Sequence, residues 1–158
     1  MRLPCYISKT CRQIINYCIR NDIGTLVLGY NENIQRKINI GRVNNQNFVN
    51  IPIGNIKNKL EYLCKQNNIT YIKQEESYTS KASFFDEDEI PTIGENISQV
   101  FSGKRIKRGQ YKTSSGNTLN ADVNAALNIL KKSRVVDVDL SILYSRGEVD
   151  TPTRIRIA

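Results

Sequence analysis

Two short acidic segments could together supply carboxylates to one divalent metal ion. Residues 75–80 begin with Glu75 and Glu76 at the end of an extended run, and Asp122 follows 46 positions after Glu76, where a helix is expected to start. The chain contains no histidine, which excludes serine–histidine hydrolysis and histidine-ligated zinc. Any chemistry is therefore expected to rely on carboxylates and metal ions.

The positive charge of the chain is concentrated in one segment. The net charge is +8, from 23 basic and 15 acidic residues. Residues 101–112 contain no acidic residue and five basic ones: Lys104, Arg105, Lys107, Arg108 and Lys112. Lysine and arginine neutralise phosphates and release counterions, so this segment predicts a nucleic-acid partner. The alternative is a solvated basic loop, which charge alone does not separate from a binding site.

Composition favours a cytoplasmic, globular chain. Its 158 residues are enough for one domain with a real core, and no apolar run approaches the roughly 20 residues that span a bilayer. The N-terminus lacks the apolar core of a signal peptide. Four cysteines occur without a C-x-x-C pair: Cys5, Cys11, Cys18 and Cys64. We expect Cys11 and Cys18 to be reduced core residues on one face of a helix, as in a reducing cytoplasm.

Hydrophobic periodicity predicts helices over residues 8–21, 52–66 and 120–132, and strands over 25–29 and 69–74. The apolar strand 25–29 is typical of one buried on both faces. The alternation of helices and strands predicts an α/β fold with a thin parallel sheet. Residues 30–50 resemble an insertion, and 77–117 have no periodicity and are predicted to be a long polar loop, in which the acidic run 86–89 is solvated. Residues 134–158 are predicted to be an irregular C-terminal tail.

The third predicted helix carries polar residues at four-residue spacing. Asn120 is a good N-cap, and the positive end of the helix dipole would stabilise an ionised Asp122 in the first turn. Asn124 and Asn128 need partners if they are buried, and waters, phosphates or the facing loop could provide them. Asp122 could also be a plain first-turn acid, and Glu75 and Glu76 plain surface charges at a strand end. Only one of these two glutamates can face a site, because adjacent strand residues point to opposite faces.

Four stretches together resemble the C-terminal part of the transposon-encoded TnpB/OrfB proteins, which are RNA-guided DNA endonucleases related to type V CRISPR effectors. The stretches are residues 23–29, residues 44–49, ESYTSK at 76–81 and NADVNAALNI at 120–129. The resemblance runs from about residue 7 to the end of the chain. It implies a RuvC-like domain with an RNase H fold, in which three acidic residues bind two Mg²⁺ ions.

The chain departs from this family in three ways. It has neither the first catalytic aspartate in a G-x-D-x-G-like context nor the first three strands, so residues 7–133 are expected to form an incomplete RNase H-like (RuvC-type) α/β domain. Gly29 stands where most relatives carry the second acid. A subset carries that acid just before Y-T-S, at Glu76 here, with Glu75 the alternative. Ser83 stands near the first zinc-ribbon cysteine and residues 86–111 hold no cysteine, so loop 77–117 replaces the ribbon and no zinc is expected.

The resemblance implies a nucleic-acid-binding C-terminal fragment of a transposase-associated RuvC-like endonuclease. Glu76 and Asp122 are the implied catalytic metal ligands, with Mg²⁺ bound only if the site is completed. With two acids of three, the chain is not expected to cleave DNA alone. Contacts to the nucleic-acid backbone are implied for Lys104, Arg105, Lys107 and Arg108. The expected partners are DNA, a guide RNA and a chain that carries the missing N-terminal half, with no membrane partner. Alternatives are a catalytically inactive DNA- or RNA-binding accessory protein or repressor, and a pseudogene remnant.

Overall fold

The computed structural model describes residues 3–31, 53–92, 94, 100–136 and 155. The helices are α1 (Leu3–Arg20), α2 (Ile53–Gln66) and α3 (Ala121–Ser133). The strands are β1 (Thr25–Tyr30), β2 (Thr70–Glu75), β3 (Lys104–Lys107), β4 (Gln110–Lys112) and β5 (Thr118–Asn120). These elements form a mixed α/β fold with two small sheets. None of the described helices is long and apolar enough to cross a membrane.

The chain divides into two compact units. Unit 1 is Met1–Ile72 with Ile155–Ala158, and unit 2 is Lys73–Arg154. Two predictions lie outside the described residues, namely the insertion with its motif at 44–49 and most of the tail at 134–158. The partial nuclease domain predicted over 7–133 includes parts of both units.

Unit 1 is built on the packing of α1 against α2. One stripe of α1 is buried, and it consists of Ile7, Cys11, Ile15 and Cys18. It meets the buried residues of α2, which are Leu60, Leu63 and Cys64. Burial raises the pKa of the Cys11, Cys18 and Cys64 thiols, which keeps them protonated and supports the prediction of reduced core cysteines. The helix begins at Leu3 rather than at residue 8, because Pro4 fits a first helical turn.

Strands β1 and β2 form the two-stranded sheet. The Thr70 amide donates to the Gly24 carbonyl over 2.8 Å, so both strands begin at the same end and run in the same direction. Leu26 and Leu28 pack against the helical core, as the two-residue repeat of a strand allows. All six residues of β1 are nevertheless only half-buried, so the prediction of a strand buried on both faces was wrong.

Unit 2 contains the antiparallel sheet β3–β4–β5 followed by α3. Tyr111 of β4 pairs with Leu119 of β5, and both side chains are buried against Ala121 and Phe85. The prediction of a long loop over 77–117 was therefore wrong, since it contains β3 and β4. Periodicity could not reveal these strands, because they are three or four residues long and β3 is exposed throughout.

The third helix follows its sequence signals closely. The Asn120 side chain accepts hydrogen bonds from the amides of Asp122 (2.9 Å) and Val123 (3.1 Å), which confirms the predicted N-cap. At the other end, Arg134 adopts the left-handed conformation (φ 54°) and its amide donates to the Lys131 carbonyl. Both termini of α3 are thus satisfied locally.

Candidate nucleic-acid-binding surface

Two buried asparagines of α3 hold the segment that follows β2. The Asn124 side chain donates to the Ala82 carbonyl (2.8 Å) and accepts from the Phe84 amide (3.1 Å). Asn128 donates to the carbonyls of Thr79 (2.9 Å) and Ala82 (2.8 Å). Of the three kinds of partner left open by the sequence, the facing loop is the one in contact. The Y-T-S segment is therefore fixed to the helix by side-chain-to-backbone hydrogen bonds.

Two aspartates of the acidic run 86–89 fasten distant loops together. The Asp86 carboxylate accepts from the amide (2.9 Å) and hydroxyl (2.6 Å) of Ser114. The Asp88 carboxylate accepts from the Ser83 amide (2.7 Å) and from both the amide and the hydroxyl of Ser102. The prediction of a solvated acidic loop was thus wrong for these two residues. We call these bonds the carboxylate–serine clasps.

The hydrogen bonds of the clasp outweigh the desolvation of Asp86. Burial opposes ionisation of this carboxyl, but the hydrogen bonds from the Ser114 hydroxyl and amide lower its pKa below the ordinary value. Asp86 therefore stays ionised and is a stronger acceptor than a neutral side chain would be.

Glu75 is committed to an ion pair with the last turn of α3. Its carboxylate lies 2.5 Å from Lys132 Nζ and accepts from the Ser77 amide over 2.6 Å. Burial alone would raise the pKa of Glu75. The hydrogen bonds from Lys132 and Ser77 lower this pKa by more than burial raises it, so the net shift is downward. Lys132 also donates to the carbonyl of Pro91 (2.9 Å). Glu75 is thus engaged in an ion pair, and Glu76 stays the predicted ligand of the two.

The predicted ligands Glu76 and Asp122 both belong to unit 2. Asp122 is exposed in the first turn of α3, whereas both neighbours of Glu76 contact Lys132 in the last turn. Lys132 lies ten positions after Asp122 in α3, about 15 Å along the helix axis. The separation of about 4–7 Å expected for carboxylates on a shared metal pair stays a prediction. Among the described residues, no group of three histidine, cysteine, aspartate or glutamate side chains is arranged to hold a metal ion.

The basic residues predicted to bind nucleic acid form one exposed hairpin, which we call the basic hairpin (residues 104–112). All four predicted side chains are exposed, namely Lys104, Arg105, Lys107 and Arg108. Arg108 and Gly109 form the turn between β3 and β4, where Gly109 adopts φ 78°, a conformation that favours glycine. Lys104 lies directly opposite Lys112 in the strand register.

A buried tyrosine anchors the basic hairpin. The Tyr111 hydroxyl donates to the Lys81 carbonyl over 2.7 Å, and burial together with the charge of Asp88 raises the pKa of Tyr111 to about 12. Gly103 crosses this ring so closely that a Cβ would lie 2.6 Å from Tyr111 Cε1 and 2.7 Å from the Lys112 carbonyl oxygen. Only glycine fits there, so the hairpin has a fixed position above the core of unit 2.

The family comparison matches a stretch of the chain that runs from α2 into α3 and so includes parts of both units. Residues 54–129 match the family model described as Cas12f1-like, TNB domain. The fold matches a chain in the cryo-EM structure of a Cas12f1-sgRNA-target DNA complex with a TM-score of 0.54 at 23% identity. That match covers 82% of this chain but 33% of the solved chain, so this chain spans a third of its length. The comparison with curated proteins gives no match. The chain is similar to TnpB- and Cas12-type proteins.

Proposed function

We propose that this chain binds the phosphate backbone of nucleic acid through the basic hairpin. The observation that carries the proposal is the strand register, in which Lys104 faces Lys112 with Arg105, Lys107 and Arg108 exposed beside them. Like charges directly opposite each other on antiparallel strands are destabilising. A polyanion removes this repulsion and releases counterions, so the arrangement favours a phosphate-rich partner over bare solvent.

We further propose that the chain is the C-terminal, RuvC-like portion of a TnpB-type protein whose partners are DNA and a guide RNA. The family-model match over residues 54–129 supports this proposal. So does the fold match to a chain whose solved complex contains sgRNA and target DNA. A second polypeptide segment would complete the RNase H-like sheet, and the half-burial of β1 supports a need for further cover.

The metal chemistry of such a nuclease does not follow from the described residues alone. Glu76 and Asp122 are the proposed ligands of Mg²⁺, but no third acidic, histidine or cysteine side chain joins them in the part of the chain that the structure describes. A two-metal site needs more ligands than two carboxylates on one chain. Strand scission is therefore proposed only for a site completed by a carboxylate from another segment.

Direct binding measurements test the proposal. Fluorescence anisotropy with labelled duplex DNA should show a large loss of affinity, of about 100-fold or more at low salt, when four charges of the hairpin are removed in a variant with Lys104→Gln, Arg105→Gln, Lys107→Gln and Arg108→Gln. The matched control removes four exposed charges from α1 and α2, in a variant with Lys9→Gln, Arg12→Gln, Arg20→Gln and Lys65→Gln. Equal losses in both variants would reduce the effect to net charge and refute the hairpin as the binding surface.

Binding without cleavage is the second candidate function, and the lack of a three-ligand group among the described residues favours it. A supercoiled plasmid incubated with the purified chain and Mg²⁺ should stay intact. If the chain alone nicks the plasmid, and if Asp122→Asn abolishes the nicking, this candidate is wrong and the chain holds a complete site.

A further inference from the structure

An aromatic pair, in which Tyr78 is exposed and Phe101 is half-buried, lies beside the basic hairpin. The rings of Tyr78 and Phe101 have centroids 6.2 Å apart with a tilt of 36°. Lys81 Nζ lies 5.9 Å from the centroid of the Tyr78 ring. The Tyr78 side chain is 38% exposed, whereas the next residue, Thr79, is buried. The tyrosine ring therefore lies at the surface of a segment that is otherwise packed into unit 2.

The backbone holds Tyr78 in an unusual conformation. Its φ is 64°, in the left-handed region that glycine and asparagine adopt more readily than a tyrosine. The Tyr78 carbonyl accepts from the amides of Lys81 (2.9 Å) and Ala82 (3.0 Å), and Asn128 fixes the next carbonyl. A turn of this shape needs no aromatic ring. Strained residues of this kind cluster where a side chain must be presented to a ligand.

The aromatic pair is continuous with the basic hairpin. Phe101 precedes Lys104 by three residues, a Cα distance of at most about 11 Å. The Asp88 clasp on Ser102 and the close packing of Gly103 fix the connection. Apolar side chains are also exposed on both sides of it, with Val100 93% and Ile106 45% exposed. Cations and an exposed aromatic ring in one continuous surface are what a protein uses to bind unpaired nucleotides.

We propose that Tyr78, supported by Phe101 and Lys81, is a stacking platform for an unpaired base of single-stranded nucleic acid whose backbone runs along the basic hairpin. This inference rests on the proposed function and specifies its ligand as a single strand. In a duplex the bases are already stacked and paired, so only the phosphates are available to the hairpin. The platform therefore makes the chain prefer single strands without reading their sequence.

Two substitutions separate the ring from the backbone. Tyr78→Asn removes the ring but suits the left-handed conformation, so it should fold as well as the wild type. Tyr78→Phe keeps the ring and removes only the hydroxyl. The matched control is Tyr17→Asn, at an exposed tyrosine on α1. The probes are a labelled single-stranded DNA, the same strand with abasic sites, and its duplex, all at one salt concentration.

We expect Tyr78→Asn to weaken binding of the single strand by about tenfold, with duplex binding within twofold of the wild type. Tyr78→Phe and Tyr17→Asn should bind both probes as the wild type does. The wild type should bind the abasic strand more weakly than the intact single strand, by a similar factor. Tyr78→Asn should bind the two strands with equal affinity, because the ring and the base contribute only as a pair. This last comparison isolates stacking from any structural effect of the substitution.

Three results would overturn the inference. The first is wild-type affinity of Tyr78→Asn for the single strand, and the second is an equal loss for single strand and duplex. The third is a wild-type chain that binds abasic and intact strands alike, which counts even if Tyr78→Asn fails to fold. In each case binding that depends on salt and on the basic hairpin would leave the proposed function standing. Absence of binding to every probe would refute both.

Discussion

The buried asparagines of α3 show how single polar residues can determine the course of a loop. A buried amide group is costly unless it is hydrogen-bonded, and a carbonyl or amide left without its partner is costly as well. Asn124 satisfies an amide and a carbonyl of the facing segment, and Asn128 satisfies two carbonyls. The loop that carries Y-T-S has no regular secondary structure of its own, so these bonds replace a strand ladder.

Asn124→Ala should destabilise the chain by about 2–3 kcal/mol. The substitution removes two hydrogen bonds and leaves the buried Phe84 amide without a partner, whereas Ala82 keeps its bond from Asn128. Urea unfolding measures the effect. The matched control is Asn58→Ala, an exposed asparagine in α2, which should lie within about 0.5 kcal/mol of the wild type. If both variants lose a similar free energy of unfolding, the hydrogen bonds of Asn124 contribute little to stability.

For these residues the sequence indicated that hydrogen bonds are required, but it did not indicate which groups form them. Four-residue spacing put Asn124 and Asn128 on one helical face, and burial of that face would require hydrogen bonds. The partners are backbone groups 40 to 49 residues away, and main-chain groups have no sequence signal. Asp86 and Asp88 were missed for the same reason. Three of their five donor groups are backbone amides, and serines such as Ser102 and Ser114 are common in any loop.

The carboxylate–serine clasps join separate segments of unit 2, as a bound metal ion joins the segments of a zinc ribbon. Asp86 joins its own turn to the one between β4 and β5, and Asp88 joins the segment after Y-T-S to the one before β3. The clasp of Asp86 depends on an ionised carboxylate. We therefore expect the small sheet to be stable without metal and to loosen when Asp86 is protonated.

The pH dependence of stability should reveal the clasp of Asp86. Its folded-state pKa is lowered, so its contribution is present above the ordinary aspartate range near pH 4 and is lost as the pH falls through the lower, folded-state pKa. Asp86→Asn should thus unfold at a lower temperature than the wild type at pH 7, with a difference that shrinks below about pH 4. Glu89→Gln, at an exposed acid of the same run, is the control.

Near-ultraviolet circular dichroism is a suitable probe, since the chain has eight tyrosines and no tryptophan. If the difference between Asp86→Asn and the wild type stays constant from pH 7 to about pH 2.5, ionisation of Asp86 has no part in stability.

Elements with strong periodicity were predictable, and short ones were not. The helix predicted over 120–132 is observed at Ala121–Ser133 because its N-cap and apolar stripe agree. Strand β3 escaped prediction because an exposed basic strand lacks alternation, and β4 escaped it because three residues are too few to show a period. Their register nevertheless explains why the basic cluster, visible in the sequence as charge, has a defined shape.

As a whole molecule, the chain has little sheet to support its helices. The described part of unit 1 has two strands, and every residue of β1 is half-buried. Ordering each residue costs about 1–2 kcal/mol of backbone entropy, which burial must offset. The isolated chain should therefore unfold well below about 60 °C, and co-expression with a segment that adds strands to the β1–β2 sheet should raise that temperature. A cooperative transition of the chain alone above about 60 °C would show a self-sufficient core.

The overall similarity to TnpB- and Cas12-type proteins was accessible from motifs, since ESYTSK and NADVNAALNI combine two specific signals. The two motifs lie in the segment after β2 and at the start of α3. These two segments pack together in unit 2, so the motifs mark a part of the fold in which distant residues are in contact. Carboxylate separation is a different matter. It depends on the path of the chain between the two motifs, which residue spacing does not define.

The salt dependence of DNA binding tests the central claim most directly. Each phosphate contact on duplex DNA contributes about −0.9 to the slope of log affinity against log salt concentration. The account predicts that the four-charge hairpin variant flattens the wild-type slope by about 3, whereas the α1 and α2 control variant changes it by less than about 1. An unchanged slope in the hairpin variant, or an equal change in the control, would contradict the assignment of the basic hairpin as the nucleic-acid-binding surface.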